Sequence, residues 1–343
     1  MGVGTIPSVS GDASIVLAVV SGGAVVAVME PAAIPLLRRA AVIDVPGRRS
    51  SHAVPTPRGG GAPIACGLLV AAVIIHTFAA LTLAVAVAAY GVIGLADDLR
   101  GLPAGRRLVL QGLAGAAVAS LLVSRLRMPP LALAACGAAA VVWLAGFVNA
   151  FNFMDGVNGI SGVHALIGGL TYACLGAWLP DKFLVAAGAT VAVGALAFLP
   201  WNAIRARVFL GDVGSYGLGA ALALLAGYAV LHGIPLEAVI APLALYLTDT
   251  SWTLLRRIRA GEPWLEAHRS HIYQRWCDVG WSHQRVAAVS AAGTALLVML
   301  GSASLTGDLA LRILADLAGI GVLAIYVGSP SLLAQPEPRT ETN

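Results

Sequence analysis

Residues 131–148 read LALAACGAAAVVWLAGFV, residues 149–158 read NAFNFMDGVN and residues 159–178 read GISGVHALIGGLTYACLGAW. The outer two runs hold no Asp, Glu, Lys or Arg, and as helices each approaches the roughly 30 Å thickness of a bilayer's hydrocarbon core. The run between them is polar and punctuated by glycine. Asn149, Asn152, Asp155 and Asn158 recur at every third position, so in loosely helical turns their oxygens converge on one side. A carboxylate among neutral oxygens suits a hard divalent cation and the phosphates such an ion carries. Asn, Asp and Gly are also the commonest turn formers, and the same run reads as a plain loop between two helices.

Working outward, the whole chain shares this character. Of its 343 residues 58% are hydrophobic and only 11% charged, with a mean hydropathy of +0.85, which excludes a water-soluble globule around one core. The fold class implied is all-α, a polytopic membrane helix bundle whose 40 glycines let helix backbones approach closely in lipid. Further apolar segments lie near 14–34, 108–124, 183–200, 214–232, 235–255, 286–305 and 309–328. Residues 62–96 would form a helix of about 52 Å, too long for one crossing, so a break is expected at His76-Thr77. That makes eleven spans.

With eleven, all but four of the 21 Lys and Arg fall on one side, the exceptions being Arg125, Arg127, Lys182 and Arg312. The positive-inside rule then puts the N-terminus outside and the C-terminus in the cytoplasm, and accounts for a pI near 9.1 without nucleic acid. Residues 1–328 are expected to form a single membrane domain and 329–343, with Pro330, Pro336 and Pro338, a disordered cytoplasmic tail. No Lys or Arg precedes the first apolar run, so it is expected to remain as a helix. The scattered Cys66, Cys136, Cys174 and Cys277 are expected to be free thiols.

Four further polar clusters lie on the same expected face. The first holds Arg48-Arg49-Ser50-Ser51-His52 and then Pro55-Thr-Pro-Arg58-Gly-Gly-Gly61, whose glycine amides can face an anion or simply allow a tight helix entry. Gly94-Leu-Ala-Asp97-Asp98-Leu-Arg-Gly101 follows. Two adjacent carboxylates at a helix C-terminus oppose the macrodipole and repel each other, so a Mg²⁺ ion, an arginine or a shared proton should offset them. In Phe209-Leu-Gly-Asp212-Val-Gly-Ser215 the glycines open the approach to Asp212, and Asp212 or Ser215 can also cap the next helix. The last cluster, His268-Arg-Ser-His271-Ile-Tyr-Gln-Arg275, follows Arg256, Arg257 and Arg259. Arginine with histidine fits a diphosphate better than it fits zinc. Asp249, inside the preceding span, should face the bundle interior and pair with a cation.

These five motifs, in this order, resemble the polyprenyl-phosphate N-acetylhexosamine-1-phosphate transferases, over residues from about 44 to 285. The resemblance implies a Mg²⁺-dependent transfer of a sugar 1-phosphate from a UDP-N-acetylhexosamine to polyprenyl (undecaprenyl) phosphate, with release of UMP, in the bacterial inner membrane at its cytoplasmic face. Mn²⁺ is the alternative ion and a homodimer the assembly considered. Carried over by position, Asn152 and Asp212 match the family's metal ligands, and Asp97 and Asp98 its acidic pair. Arg107 stands where relatives often have a catalytic lysine, a departure that keeps a positive charge for a phosphate. Asn158 matches a position near the nucleotide base. His271, Arg269 and Arg275 belong to the basic loop that meets the diphosphate, and Arg58 to the substrate-binding set. The chain lacks the three-histidine run of the muramoyl-pentapeptide branch and looks more like the branch that starts O-antigen or capsule chains.

The expected chemistry is attack by the lipid phosphate on the β-phosphorus of the UDP-sugar. A phosphate monoester is mostly dianionic at pH 7, so repulsion between two anions is the greater obstacle. Asp97 or Asp98 removes a residual proton or orients the acceptor; a covalent Asp–phosphate intermediate is the rival. Rivals from other classes are a transporter or flippase of an anionic lipid or nucleotide sugar and a non-catalytic scaffold.

Overall fold

The computed structural model describes residues 11–47, 54–263, 266 and 268–333. The motif at 48–52 and the prolines at 336 and 338 lie outside that range. Among the described residues nine helices are long and apolar enough to cross a membrane: α1 (Gly11–Arg39), α3 (Phe78–Arg100), α4 (Ala104–Val123), α5 (Pro130–Phe153), α6 (Ile160–Trp178), α7 (Lys182–Asn202), α8 (Gly211–Leu231), α12 (His283–Gly301, extended by a 3₁₀ turn) and α13 (Leu309–Leu333). Four shorter helices complete the set: α2 (Ala62–Ile75), α9 (Leu236–Ile240), α10 (Ala244–Arg259) and α11 (Ile272–Asp278). The protein is an all-α, multi-pass membrane bundle. The sheet among the described residues is a pair of two-residue strands, Ile43–Asp44 (β1) antiparallel to Thr56–Pro57 (β2).

The break expected at His76-Thr77 is there. His76 takes a left-handed conformation (φ 50°) that ends α2, and the Thr77 hydroxyl accepts the Ala80 amide to start α3. At 14 residues, about 21 Å, α2 is shorter than a bilayer core. The expected single span at 235–255 is instead interrupted by a 3₁₀ turn at Ala241–Leu243, because Pro242 has no amide to give the α-helical ladder. Residues 329–333, expected to belong to a disordered tail, are instead the end of α13, which runs to Leu333; residues 334–343 lie outside the described range. Pro330 cannot donate to the Tyr326 carbonyl, and the Ser329 hydroxyl donates to it instead at 2.6 Å, which lets a proline stay within a membrane helix. All four cysteines are free.

Helix α8 is the centre of the bundle, buried along most of its length and packed against α3 and α5. Glycines decide how close the helices come. A Cβ on Gly94 of α3 would lie 2.1 Å from the Asp212 carbonyl oxygen, and one on Gly61 would lie 2.0 Å from Gly214 Cα. Those crossings bring the C-terminal end of α3 and the entry to α2 against the N-terminal end of α8. The polar clusters therefore gather at one end of the bundle, linked by contacts between Arg58 and Asp98, Asn152 and Asp212, and Gly159 and Asn202.

Candidate active site

Asp98 organises this end. Its two carboxylate oxygens accept the backbone amides of Asp212 and Val213, each at 3.0 Å, so the end of α3 caps the start of α8. The partial positive charge of that helix start suits the carboxylate. Arg58 reinforces the pair: its Nη2 donates to the Asp98 carbonyl at 2.6 Å and its Nε lies 3.6 Å from the carboxylate. Gly211 adopts φ +72°, and a Cβ there would lie 2.6 Å from the Gly59 nitrogen and 2.7 Å from the Asp98 carboxylate. No other side chain fits that corner.

The three glycine amides of the Arg58 motif do not face an anion. Those of Gly59 and Gly60 donate to the Phe209 carbonyl and that of Gly61 to Leu210. They hold the strand pair and the α8 entry together, so the close-packing reading of this motif holds. The capping readings of the α8 motif fail in turn. The Asp212 carboxylate accepts from Asn152 Nδ2 at 2.7 Å, and the Ser215 hydroxyl accepts from the same nitrogen at 2.9 Å.

Asp97, beside Asp98 in sequence, points elsewhere, because successive side chains on a helix diverge. It accepts the Leu102 amide at 2.7 Å, Arg107 Nη1 at 3.1 Å and the Tyr216 hydroxyl at 3.1 Å. Of the three ways to offset an acidic pair, arginine is present for both members, Arg58 at Asp98 and Arg107 at Asp97.

A cavity of about 330 Å³ opens here. Arg58, Asp98, Asn152, Asp155, Asn158 and Asp212 line it. Of the polar series in 149–158, the last three members face this space and Asn149 does not. Its amide donates to Gln111 at 2.6 Å and to the Ala145 carbonyl at 2.7 Å, because α5 is still helical there and a three-residue step turns Asn149 toward α4. Asn202 fixes the loop by accepting the Gly159 amide and donating to the Val208 carbonyl. Burial, with negative Asp98 nearby, pushes the Asp155 carboxyl up to about 7. Asp44, Gln274 and His283 also line the cavity, unpredicted as site residues. Gln274 sits inside the quoted basic motif, whereas the isolated Asp44 and His283 carried no signal.

His271, Arg269 and Arg275 are not in the cavity wall. His271 Nδ1 lies 2.9 Å from the buried Asp249 carboxylate, the interior pairing expected for Asp249. Arg269 pairs with Asp278 at 3.1 Å, and Arg275 lies half-buried on α11. The two regions touch through Tyr273, whose hydroxyl donates to the Phe153 carbonyl at 2.9 Å, one residue beyond Asn152. Burial, His271, Arg257 and Arg256 together lower the His268 imidazole to about 4.

Residues 80–230 match the sequence model of the family described as Glycosyl transferase family 4. The chain is 28% identical over 272 residues to a probable undecaprenyl-phosphate N-acetylglucosaminyl 1-phosphate transferase of Bacillus subtilis, covering 73% of this chain and 75% of the relative. It is 29% identical over 296 residues to a decaprenyl-phosphate N-acetylglucosaminephosphotransferase of Mycobacterium leprae, covering 73% and 74%. A phospho-N-acetylmuramoyl-pentapeptide-transferase of Latilactobacillus sakei is 34% identical over 154 residues, 43% of this chain and 45% of the relative.

Proposed function

Because the chain belongs to the polyprenyl-phosphate N-acetylhexosamine-1-phosphate transferase family, we propose that it moves N-acetylhexosamine 1-phosphate from a UDP-sugar to undecaprenyl phosphate. UMP is released and the first lipid-linked sugar of a cell-surface polysaccharide is formed. The observation that carries this reading is the convergence of Asp98, Asn152, Asp155 and Asp212 with Arg58 on one cavity at the end of a membrane bundle. An amphiphilic acceptor can reach such a place with its phosphate while its tail stays in lipid. The names of the Bacillus and mycobacterial relatives make N-acetylglucosamine the donor sugar to test first, and the excess of Lys and Arg in the loops at this end supports a cytoplasmic site.

The residues also fit a divalent metal ion. Among the described residues lining the cavity, Asp98 and Asp212 face it with Arg58 the only Lys or Arg, an excess of negative charge that a hard cation with oxygen ligands offsets. Asp212 and Asn152 would hold it, with Asp155 beside them, and a bound Mg²⁺ would supply charge neutralisation for the two phosphates.

In the proposed reaction an oxygen of the lipid phosphate attacks the β-phosphorus of the nucleotide sugar. The bond from that phosphorus to the oxygen bridging it to the α-phosphorus breaks, and the electron pair leaves with UMP. Arg58 lines the approach and reduces repulsion between the two anions. Asp98 holds Arg58 and the start of α8, so that Asp212 and Asn152 keep their relative positions before substrates arrive.

Membranes containing the protein, given UDP-N-acetylglucosamine, undecaprenyl phosphate and Mg²⁺, should release UMP and form a lipid-linked pyrophosphate sugar. Absence of UMP across a panel of UDP-N-acetylhexosamines would overturn the assignment, as would uptake of intact nucleotide sugar, which marks a transporter.

A further inference from the structure

The Asp249 carboxylate is fully buried inside α10, yet five donors from three helices and their caps meet it. One oxygen accepts the Ile272 amide at 3.1 Å and the Thr253 hydroxyl at 3.2 Å, and lies 2.9 Å from His271 Nδ1. The other accepts the Tyr273 amide at 3.2 Å and the Tyr326 hydroxyl at 2.7 Å. A carboxylate this deeply buried is costly unless its lone pairs are used, and here they are. The bonds are not interchangeable in effect. The two amides open α11, which carries Gln274 to the cavity wall. An ionised carboxylate only accepts, so this contact calls for the proton on Nδ1 and leaves Nε2 as the ring atom with chemistry to offer a ligand. The Tyr326 hydroxyl brings in the last helix, which a second bond, Trp276 Nε1 to Ser329 Oγ at 2.8 Å, also ties to α11.

We propose that Asp249 is a positioning residue for the transfer reaction, acting through His271, with Tyr326 of α13 as the outer member that holds the carboxylate in place. This rests on the function proposed above. The ring of His271 has three aromatic neighbours, Phe153 and Tyr273 at 5.9 Å between centroids and His268 at 4.9 Å. Phe153 follows Asn152, and its carbonyl accepts the Tyr273 hydroxyl. A tilt of the imidazole is therefore felt at the cavity through the backbone beside Asn152, and α13, with few buried residues of its own, reaches the site by way of Asp249. The arrangement assigns Asp249 and Tyr326 no contact with substrate.

A double-mutant cycle tests this. Asp249→Asn keeps the size of the side chain but puts an amide nitrogen where a backbone amide and a side-chain donor point. It should lower kcat by about 30-fold with KM for the UDP-sugar changed by less than about 3-fold, as for a group whose effect is on the transition state. In a His271→Ala background the same change should cost less than about 3-fold, since residues acting as a unit do not add. Tyr326→Phe should lower kcat by about 3- to 10-fold and show the same loss of effect, and it decides the matter if Asp249→Asn fails to insert or fold.

Independent multiplication of the effects overturns the inference, because a purely structural role would lower activity equally in either background. Histidine ¹⁵N spectra of the purified protein, assigned with His271→Gln, give a readout that does not need activity. His271 should be a single Nδ1-protonated tautomer, disturbed in both Asp249→Asn and Tyr326→Phe. A mixture of tautomers in the unmodified protein, or spectra unmoved by either change, overturns the inference whatever the reaction. Failure of the unmodified protein to release UMP overturns the proposed function alone.

Discussion

Two buried carboxylates in this bundle do the same local job with different consequences. Asp98 and Asp249 each accept two consecutive amides at the start of another helix, α8 in one case and α11 in the other. Around Asp249 the remaining lone pairs meet His271, Thr253 and Tyr326, and the arrangement is closed. Around Asp98 the neighbours are Arg58 and a cavity that Asp155 and Asp212 also face. The comparison teaches that burial of a carboxylate in this bundle does not by itself mark a reacting centre. What marks one is acidic charge beyond what local donors neutralise, facing a space that a ligand can enter.

The largest effect should come from removing divalent metal. Chelation with EDTA is expected to abolish UMP release and excess Mg²⁺ or Mn²⁺ to restore it; full activity in EDTA would remove the distinction between the two regions. Next, Asp212→Ala and Asn152→Ala should each lower kcat by about 10² to 10³-fold, the scale found when a preorganised electrostatic group is lost. Turnover that keeps its normal magnesium dependence in both variants would refute the assignment of these residues to the metal.

Asp98→Asn is expected to cost both stability and turnover. The amide group places a donor against the Asp212 or Val213 N–H, and an unsatisfied buried bond of this kind costs about 1 to 3 kcal/mol. Thermal unfolding in detergent reads the stability part; no change in Tm would mean that the cap contributes nothing.

The two regions should also differ in the sign of their pH response. Asp155, pushed up to about 7, is held protonated by the fold, so its contribution is complete below the ordinary carboxylate range and is lost as pH rises toward 7. His268, lowered to about 4, is held neutral, so its contribution is complete above 6.5 and is lost as pH falls toward 4. Asp155→Asn should flatten the decline in Tm on the rising side and His268→Gln the decline on the falling side. Exchanged or identical slopes would contradict the assignment of cause. The smallest effect belongs to Asn149→Ala, which should leave kcat within about 2-fold of normal because Asn149 faces Gln111 and not the cavity.

The sequence carried the membrane class, most of the apolar helices and the placing of most polar clusters, because each depends on local composition. A run of apolar residues needs a length, a break at His76 needs a residue that abandons the ladder, and a bilayer supplies the reference for both. The acidic pair, Asn152, Asn158 and Asp212 were legible as a motif order shared with a family. The division of labour among them was not. Nothing in Asp97-Asp98 says which side chain meets the cavity, since that follows from the rotation of α3 against α8 where Gly94 allows contact. The period of three that grouped Asn149 with Asn152 failed because α5 remains helical through Phe153 and unwinds only afterwards.

Composition and spacing alone thus determined an all-α membrane protein with hydrophilic loops bearing oxygen-rich and basic motifs, for hydropathy and side-chain chemistry are properties of each segment. The tertiary structure decided which of those groups share a cavity, which are consumed in holding helices together, and that Asp249 binds the last helix to the basic loop. Those outcomes depend on distances between residues more than 100 positions apart, set by the close approach of small residues where helices cross.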